Sequence, residues 1–207
     1  MPEITAITPQ SKDKERCNVY VDGRFYCGMK LETVLSHRLR AGEHIELSEL
    51  DAIQEENESA QAFDRALTHL SASMKTEKQV RDYLHKKGYV DAVCDRVLEK
   101  LRGYGFVDDA EYCAQYIRSA GKDKGARLIA LELKKRGVDD RTAEEALSGL
   151  EGEEAAACSV LAKYMRNREF TRENIAKGYR HLMSKGFDYD TAKAALESLR
   201  GGPEEEE

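Results

Sequence analysis

The apolar positions of the chain recur at helical spacing, and the pattern repeats three times in one register. Glycines that follow lysine-rich segments stand 49 residues apart, and apolar residues keep the same distances from each glycine in all three copies. Examples of the matching columns are Leu84, Leu133 and Leu182 before the glycine, Tyr89, Val138 and Phe187 after it, and Leu98, Leu147 and Leu196 further along. The pattern predicts three tandem repeats of about 49 residues.

Each repeat has the pattern of three short helices, and the first repeat illustrates it. A first helix is predicted from Ala60 to Ser71, because its apolar residues fall at helical spacing. Thr76 with Gln79 has the capping-box pattern that opens a second helix, and Gly88 after a lysine-rich turn is typical of a left-handed C-terminal cap. The third helix of each repeat is predicted to start at an aspartate: Asp91, then Asp139 or Asp140, and then Asp190.

The chain before the repeats has a different pattern. Residues 17–28 alternate around an Asp-Gly pair, which predicts a β-hairpin with a two-residue type I′ turn. A regular ladder would place Asn18 opposite Cys27, so that Cys17 and Cys27 point to opposite faces. Short helices are predicted at 31–39 and from 48 to about 55.

The predicted fold class is therefore all-α, with three tandem three-helix repeats in an elongated curved array, preceded by a small segment of β-hairpin and helices. Residues 1–14 and 201–207 have the composition of tails and are expected to be disordered. The expected domains are a tail at 1–14, an N-terminal segment at 15–59, repeats at 60–107, 108–156 and 157–203, and an acidic tail at 204–207.

Composition places the protein in the cytoplasm. The chain has 207 residues and 41% hydrophobic content, but no stretch approaches the roughly 18 consecutive apolar residues of a membrane span. Its first residues also lack the pattern of a secretory signal. Five scattered cysteines are a poor disulfide framework, so reduced thiols are expected. The protein is also expected to be a monomer.

Charge is distributed unevenly along the chain. The net charge is −6, but the first and third repeats carry +3 and +4 while the second carries −4. The overall negative charge argues against a protein that coats nucleic acid non-specifically. The two basic repeats could still contact an acidic partner.

No arrangement of side chains predicts an enzyme, a metal site or a cofactor site. The histidines are far apart and lack the spacing of metal ligands: His37, His44, His69, His85 and His181. Asp108 and Asp109 could be a catalytic carboxylate pair, but Asp108 with Glu111 fits a capping box that opens a helix.

Cations precede the glycine in every repeat and are the candidate partner-binding residues: Lys86, Lys87, Lys134, Lys135, Arg136 and Lys185. They could form a recurring contact surface, or they could only complement the negative ends of helix dipoles, which is worth about 0.3–1 kcal/mol each. Both interpretations remain open from the sequence. Aromatic residues at repeat positions are interpreted as core rather than as stacking platforms: Tyr89, Tyr104, Phe106, Tyr112, Tyr116 and Phe187.

Three motifs resemble the RecX family of recombination regulators, and the likeness covers nearly the whole chain. They are Val21-Asp22-Gly23-Arg24-Phe25, Gly105-Phe106-Val107-Asp108-Asp109 followed by Tyr112, and Gly125 followed by Leu131-Glu132-Leu133-Lys134-Lys135-Arg136-Gly137. The resemblance implies a protein that binds RecA polymerised on single-stranded DNA and mainly inhibits its strand exchange, ATP hydrolysis and co-protease activity. It also implies a bent rod lying in the filament groove, without catalysis of its own.

Two other functions remain possible. Residues 76–102, with two helices around Gly88, also fit a helix-turn-helix that acts directly on DNA, and weak DNA binding is compatible with the basic repeats. An adaptor for some other protein would have the same sequence features.

Overall fold

The computed structural model describes residues 1–11 and 13–200. These residues form three strands, which are β1 (Ile4–Pro9), β2 (Arg16–Val21) and β3 (Arg24–Lys30). They also form helices α1 (Leu31–Ser36), α2 (Leu47–Leu70), α3 (Glu77–Lys86), α4 (Asp91–Gly103), α5 (Asp109–Ala120), α6 (Ala126–Lys135), α7 (Asp140–Leu147), α8 (Glu153–Met165), α9 (Arg172–Ser184) and α10 (Tyr189–Arg200). The chain divides into two compact units, residues 1–73 with 80–106 and residues 74–79 with those from 107 onward.

The N-terminal residues form an antiparallel sheet in the order β1-β2-β3. The predicted hairpin is confirmed, since Asp22 and Gly23 both have positive φ, at 48° and 78°, as a type I′ turn requires. The expectation of a disordered tail at 1–14 is wrong, because Ile4–Pro9 pairs with β2 and Ile4 is completely buried. The expected tail at 201–207 lies outside the described residues.

A β-bulge corrects the predicted register of the hairpin. Val19, and not Asn18, lies opposite Cys27, because the register shifts by one residue next to Tyr20. The extra residue turns the strand, and Cys17 and Cys27 therefore face the same buried core. The prediction that these two thiols point to opposite faces is wrong.

Helix α2 is a single helix, where the sequence predicted one helix from Ser48 and another from Ala60. The segment between them is polar, but it contains neither glycine nor proline, so nothing in it breaks the helix. Asn57 lies inside this segment and is completely buried against β3. Helix α1 ends at Ser36, before the predicted end at residue 39.

The helices after α2 follow the 49-residue period. Gly88, Gly137 and Gly186 have φ angles of +92°, +90° and +90°, so the predicted left-handed caps are confirmed. In each cap the backbone N–H of the residue after the glycine donates to the carbonyl oxygen of the leucine five residues earlier. This is the Schellman pattern, and it turns the chain into the following helix.

Aspartates lie at the start of all three predicted helices, but only two of them act as side-chain caps, and one of these is not the predicted residue. Asp139 accepts the backbone N–H of Thr142 and caps α7, as predicted. Asp188, and not Asp190, accepts the backbone N–H of Thr191 at the start of α10. Asp91 is the first residue of α4 and is not its side-chain cap. Helix α10 therefore begins earlier than predicted, because the aspartate nearest the preceding loop is the one that reaches the free N–H groups.

Three of the hydrophobic cores in the described residues lie between neighbouring elements. One lies between the sheet and the helices α1 and α2, and it includes Ile4, Met29 and Leu50. A second joins α5, α6 and α7, and a third joins α8, α9 and α10 around Phe187. The second core falls within the second repeat, and the third core extends from Ala156 to Leu199.

Candidate functional site

The six candidate cations lie at or just past the C-terminal ends of α3, α6 and α9. The four lysines at 86, 87, 134 and 135 are exposed, and Arg136 and Lys185 are half-buried. At these positions the last carbonyl groups of each helix point outward and carry partial negative charge, which explains why cations are placed there. The surroundings of Arg136 differ from those of the exposed lysines.

Arg136 is held by tyrosine side chains. Its guanidinium donates to the hydroxyl of Tyr112 at 3.0 Å and to that of Tyr116 at 3.3 Å, and it lies 4.4 Å from the centre of the Tyr116 ring. The neighbouring Lys124 and Glu132 form an ion pair at 2.7 Å beside the same ring. These contacts give Arg136 a structural role within the second repeat.

The lysines are held less firmly. Lys134 forms an exposed ion pair with Asp140 at 2.9 Å, and Lys87 lies 5.5 Å from the ring of Tyr83. Exposed pairs of this kind contribute about 0–1 kcal/mol, so the lysines remain available to a partner. The side chains of Lys86 and Lys135 form no ion pair or hydrogen bond among the described residues.

The capped helix ends also join neighbouring helices in the second unit. The hydroxyl of Thr76 donates to the carbonyl oxygen of Arg136 at 2.6 Å, at the point where α3 begins. The backbone N–H of Gly125, 49 residues later, donates to the carbonyl oxygen of Lys185 at 2.9 Å. The start of α3 is therefore hydrogen-bonded to the end of α6, and the start of α6 to the end of α9. These bonds use carbonyl groups that a helix end otherwise leaves free.

Asp108 and Asp109 cap two different helices. Asp108 accepts the backbone N–H groups of Ala110 and Glu111, which confirms its predicted role at the start of α5. Asp109 accepts the backbone N–H of Glu77 at 2.9 Å, at the start of α3. Burial raises the pKa of Asp109. Sequence reasoning missed this second cap because its donor lies 32 residues away.

The interpretation of the six aromatic residues as core is only partly confirmed. Tyr112 and Phe187 are buried, and Tyr89 and Tyr116 are half-buried. Tyr104 and Phe106 are 62% and 52% exposed, so the interpretation is wrong for these two. Gly105 between them has a φ of +71°, and the resulting turn leaves both rings outside the core.

The third repeat contains a cluster of cations and rings that the sequence analysis did not identify. The guanidinium of Arg168 lies 3.8 Å from the centre of the Tyr164 ring, and the Tyr164 and His181 rings stack at 4.5 Å. Burial, Lys185 and Arg168 together lower the pKa of His181. The available signal was the excess of basic residues between 163 and 185.

Family comparisons match the chain over three separate segments. The N-terminal domain of regulatory protein RecX matches residues 2–46, and the first and second three-helix domains of RecX match 62–101 and 108–147. A regulatory protein RecX from Bacillus licheniformis is 32% identical over 203 residues, which cover 95% of this chain and 77% of the relative. The chain belongs to the RecX family of regulatory proteins. A RecX from Clostridium acetobutylicum is 37% identical over 197 residues, covering 95% of this chain and 83% of that protein.

Solved RecX structures resemble the fold. A crystal structure of regulatory protein RecX superimposes with a TM-score of 0.73 and 26% identity, covering 95% of this chain and all of the other. RecX from Lactobacillus salivarius gives a TM-score of 0.64 and 27% identity over 69% of this chain. The first three-helix domain of RecX contains the C-terminal part of α2 together with α3 and α4. In the described residues of this RecX chain, none of the helices is both long and apolar enough to cross a membrane.

Proposed function

We propose that this RecX-family chain binds the RecA recombinase on single-stranded DNA and mainly inhibits its strand exchange, ATP hydrolysis and co-protease activity. Family membership over 95% of the chain is the observation that carries the proposal. The relatives are named regulatory proteins, and regulation requires a macromolecular partner. A monomer acting in the cytoplasm, where RecA and its DNA lie, is the form that fits this role.

The proposed contact residues are the lysines that end the second helices. Lys86, Lys87, Lys134 and Lys135 are exposed, and exposed charges at the rim of an interface act mainly on the rate of association. Lys185 is half-buried and remains a candidate. Arg136 supports the contact only indirectly, because its guanidinium is engaged by Tyr112 and Tyr116.

Inhibition needs no chemistry from the regulator. A protein that binds one state of the filament more tightly than another shifts the filament toward that state. Binding at several points multiplies the effect, because each later contact forms at a high effective concentration. Several repeats with cations at equivalent positions suit such a periodic partner.

Direct binding to DNA by the helices around Gly88 is the alternative, and one binding experiment separates the two functions. Binding of the chain is measured to RecA filaments on single-stranded DNA, to bare single strands and to bare duplex, each at about 150 mM salt, where weak phosphate-driven binding fades. The proposal expects tight binding to the filament and weak binding to both bare DNAs. Equal or tighter binding to bare duplex would contradict it and support the helix-turn-helix alternative.

A further inference from the structure

A strongly basic segment runs from the end of α8 through α9. Residues 163–185 contain seven lysines and arginines but only two glutamates, a net charge of +5 in a protein of net charge −6. One of the glutamates, Glu173, pairs with Lys177 at 2.7 Å. The excess of positive charge is therefore local and largely uncompensated within the segment, which favours a contact with anionic groups.

Two of these cations and a histidine lie around one ring, and we call Tyr164, Arg168, His181 and Lys185 the basic cluster. Arg168 lies over the Tyr164 ring, and His181 stacks against the same ring. Lys185 is one helical turn beyond His181, and its ammonium forms no ion pair among the described residues. Burial and these two cations lower the pKa of His181, as expected where positive groups lie close together.

The second repeat has an internal carboxylate at the equivalent place. Glu132 and Arg136 stand 49 residues before His181 and Lys185. The carboxylate of Glu132 pairs with Lys124 at 2.7 Å, so the chain itself supplies the anion there. In the third repeat a histidine stands in place of that glutamate, and this position supplies no anion to the basic cluster.

Helices α2 and α4 of the first repeat show where the third helix of a repeat ends. Arg96 of α4 pairs with Glu55 of α2 at 2.6 Å. One turn later on α4, the ammonium of Lys100 lies 4.5 Å from the centre of the Phe63 ring, which is further along α2. The two helices therefore run side by side in the same direction.

The third helix of the third repeat ends in the corresponding place. Leu161 of α8 stands 98 residues after Phe63, which is two repeat periods. Leu199, in the last turn of α10, packs against the core that contains Leu161. Tyr164 follows Leu161 by one turn on α8. The end of α10 therefore lies near the ring at the centre of the basic cluster.

Four glutamates follow α10 closely in the sequence. They stand at 204–207, outside the described residues, and form the longest run of consecutive acidic residues in the chain. Helix α10 ends at Arg200, so the first glutamate is four residues away and the last is seven away. Extended chains of these lengths span at most roughly 14 Å and 25 Å, or several helical turns. The glutamates are therefore within reach of the basic cluster.

We propose that the basic cluster is the docking surface for the acidic tail at 204–207 of the same chain. Carboxylates of the tail bind Arg168 and Lys185, and they supply the anion that Glu132 supplies in the second repeat. Another anionic partner of this surface must first displace the tail. The contact goes beyond the proposed action on RecA and does not depend on it, because both parts belong to this chain.

NMR titration of the five histidines tests the proposal, because carboxylates close to an imidazole raise its pKa. The full chain is compared with a variant in which all four glutamates at 204–207 are replaced by glutamine. At about 50 mM salt we expect the replacement to lower the pKa of His181, with proton binding about threefold weaker, which is the effect of one unit charge at roughly 6 Å in water. The difference should shrink at about 1 M salt, and the other four histidines should not change.

A matched pair of variants locates the contact. In a chain with Arg168→Gln and Lys185→Gln, replacement of the four glutamates should no longer change the pKa of His181. The control is Arg141→Gln with Lys193→Gln, which removes the same charge from exposed i,i+4 pairs and should keep the full effect. Melting curves check folding, and Arg168→Gln alone replaces the double variant if that variant unfolds.

Four outcomes would overturn the proposal. They are an unchanged pKa of His181 after replacement of the glutamates, a change at His85 instead, an effect that persists in full without the two cations, and an effect that grows with protein concentration. A change at His85 would place the tail beside the lysines that end α3. Dependence on concentration would show that the tail contacts a second copy of the chain.

Discussion

Gly88, Gly137 and Gly186 share one backbone conformation but differ in their neighbours. A Cβ atom at Gly88 would meet no heavy atom of the described residues within 4 Å. At Gly137 it would lie 2.1–2.6 Å from side-chain carbons of Lys78. At Gly186 it would lie 2.3 Å from the backbone nitrogen of Leu128. The same cap is thus open in the first repeat and covered by another helix in the other two.

These surroundings predict a graded series of alanine substitutions. Gly88→Ala should lower the free energy of unfolding by about 1 kcal/mol, the cost of a left-handed conformation for a residue with a Cβ. Gly137→Ala should cost more, because the new methyl group would collide with the side chain of Lys78, which must move away. Gly186→Ala should cost most, because its new methyl group would collide with backbone, which cannot rotate away.

Urea denaturation of the three variants measures the series. Equal decreases in the free energy of unfolding at all three positions would show that conformation alone determines the cost and that α6 does not rest on the end of α9.

The sequence predicted the glycine caps but not the residues that cover them. A cap depends on residues next to it in the sequence, whereas the covering residues are distant in the sequence. A cap requires a lysine-rich turn followed by glycine, and both features lie within a few residues. The contact between Gly186 and Leu128 joins positions 58 residues apart, which no local pattern indicates. The cap from Asp109 to Glu77 was missed for the same reason.

At the scale of elements, Asn57 connects the long helix α2 to the sheet. It is completely buried, and its side-chain oxygen accepts the backbone N–H of Lys30 at 2.8 Å, where β3 ends. Its amide group lies 3.4 Å from the carbonyl oxygen of Gly28. A single buried polar side chain therefore satisfies part-buried backbone groups at the end of β3.

Asn57→Ala should lower the free energy of unfolding by about 1–3 kcal/mol, because the part-buried N–H of Lys30 loses its acceptor. The matched control is Asn174→Ala, which removes a half-buried amide from α9 whose hydrogen bond to the carbonyl oxygen of Glu169 is exposed to solvent, and it should cost less than Asn57→Ala. Thermal melts of both variants provide the measurement. If the two substitutions cost the same, Asn57 does not hold the helix to the sheet.

Predictions of elements were right where periodicity was strong and wrong where it was short. The hairpin turn and the helices after residue 76 followed from the Asp-Gly pair and from the repeat. Strand β1 was missed because six residues next to a polar segment have the composition of a tail. The fusion that forms α2 was missed because a polar stretch was taken for a break, although it contains no helix-breaking residue.

At the scale of the whole molecule, the family follows from the sequence more readily than the contact surface. The motifs that resemble RecX lie in the hairpin and at the junctions of the repeats, and the comparisons identify the same family. The role of the cations could not be predicted, because a lysine at a helix C-terminus has the same position whether it only complements the dipole or also binds a partner. Within the six, the tyrosine hydroxyls distinguish Arg136 from the four exposed lysines.

The rate of ATP hydrolysis by RecA on single-stranded DNA reports whether this chain acts on the filament through its exposed lysines. It is measured at low salt after addition of the wild-type chain, and of a folded variant with Lys86, Lys87, Lys134 and Lys135 replaced by glutamate. We expect the wild type to lower the rate and the variant to do so more slowly, with a difference that shrinks as salt screens the charges. Inhibition by the variant as fast as by the wild type would place the contact surface elsewhere, and an unchanged rate with the wild type would contradict the proposed action on RecA.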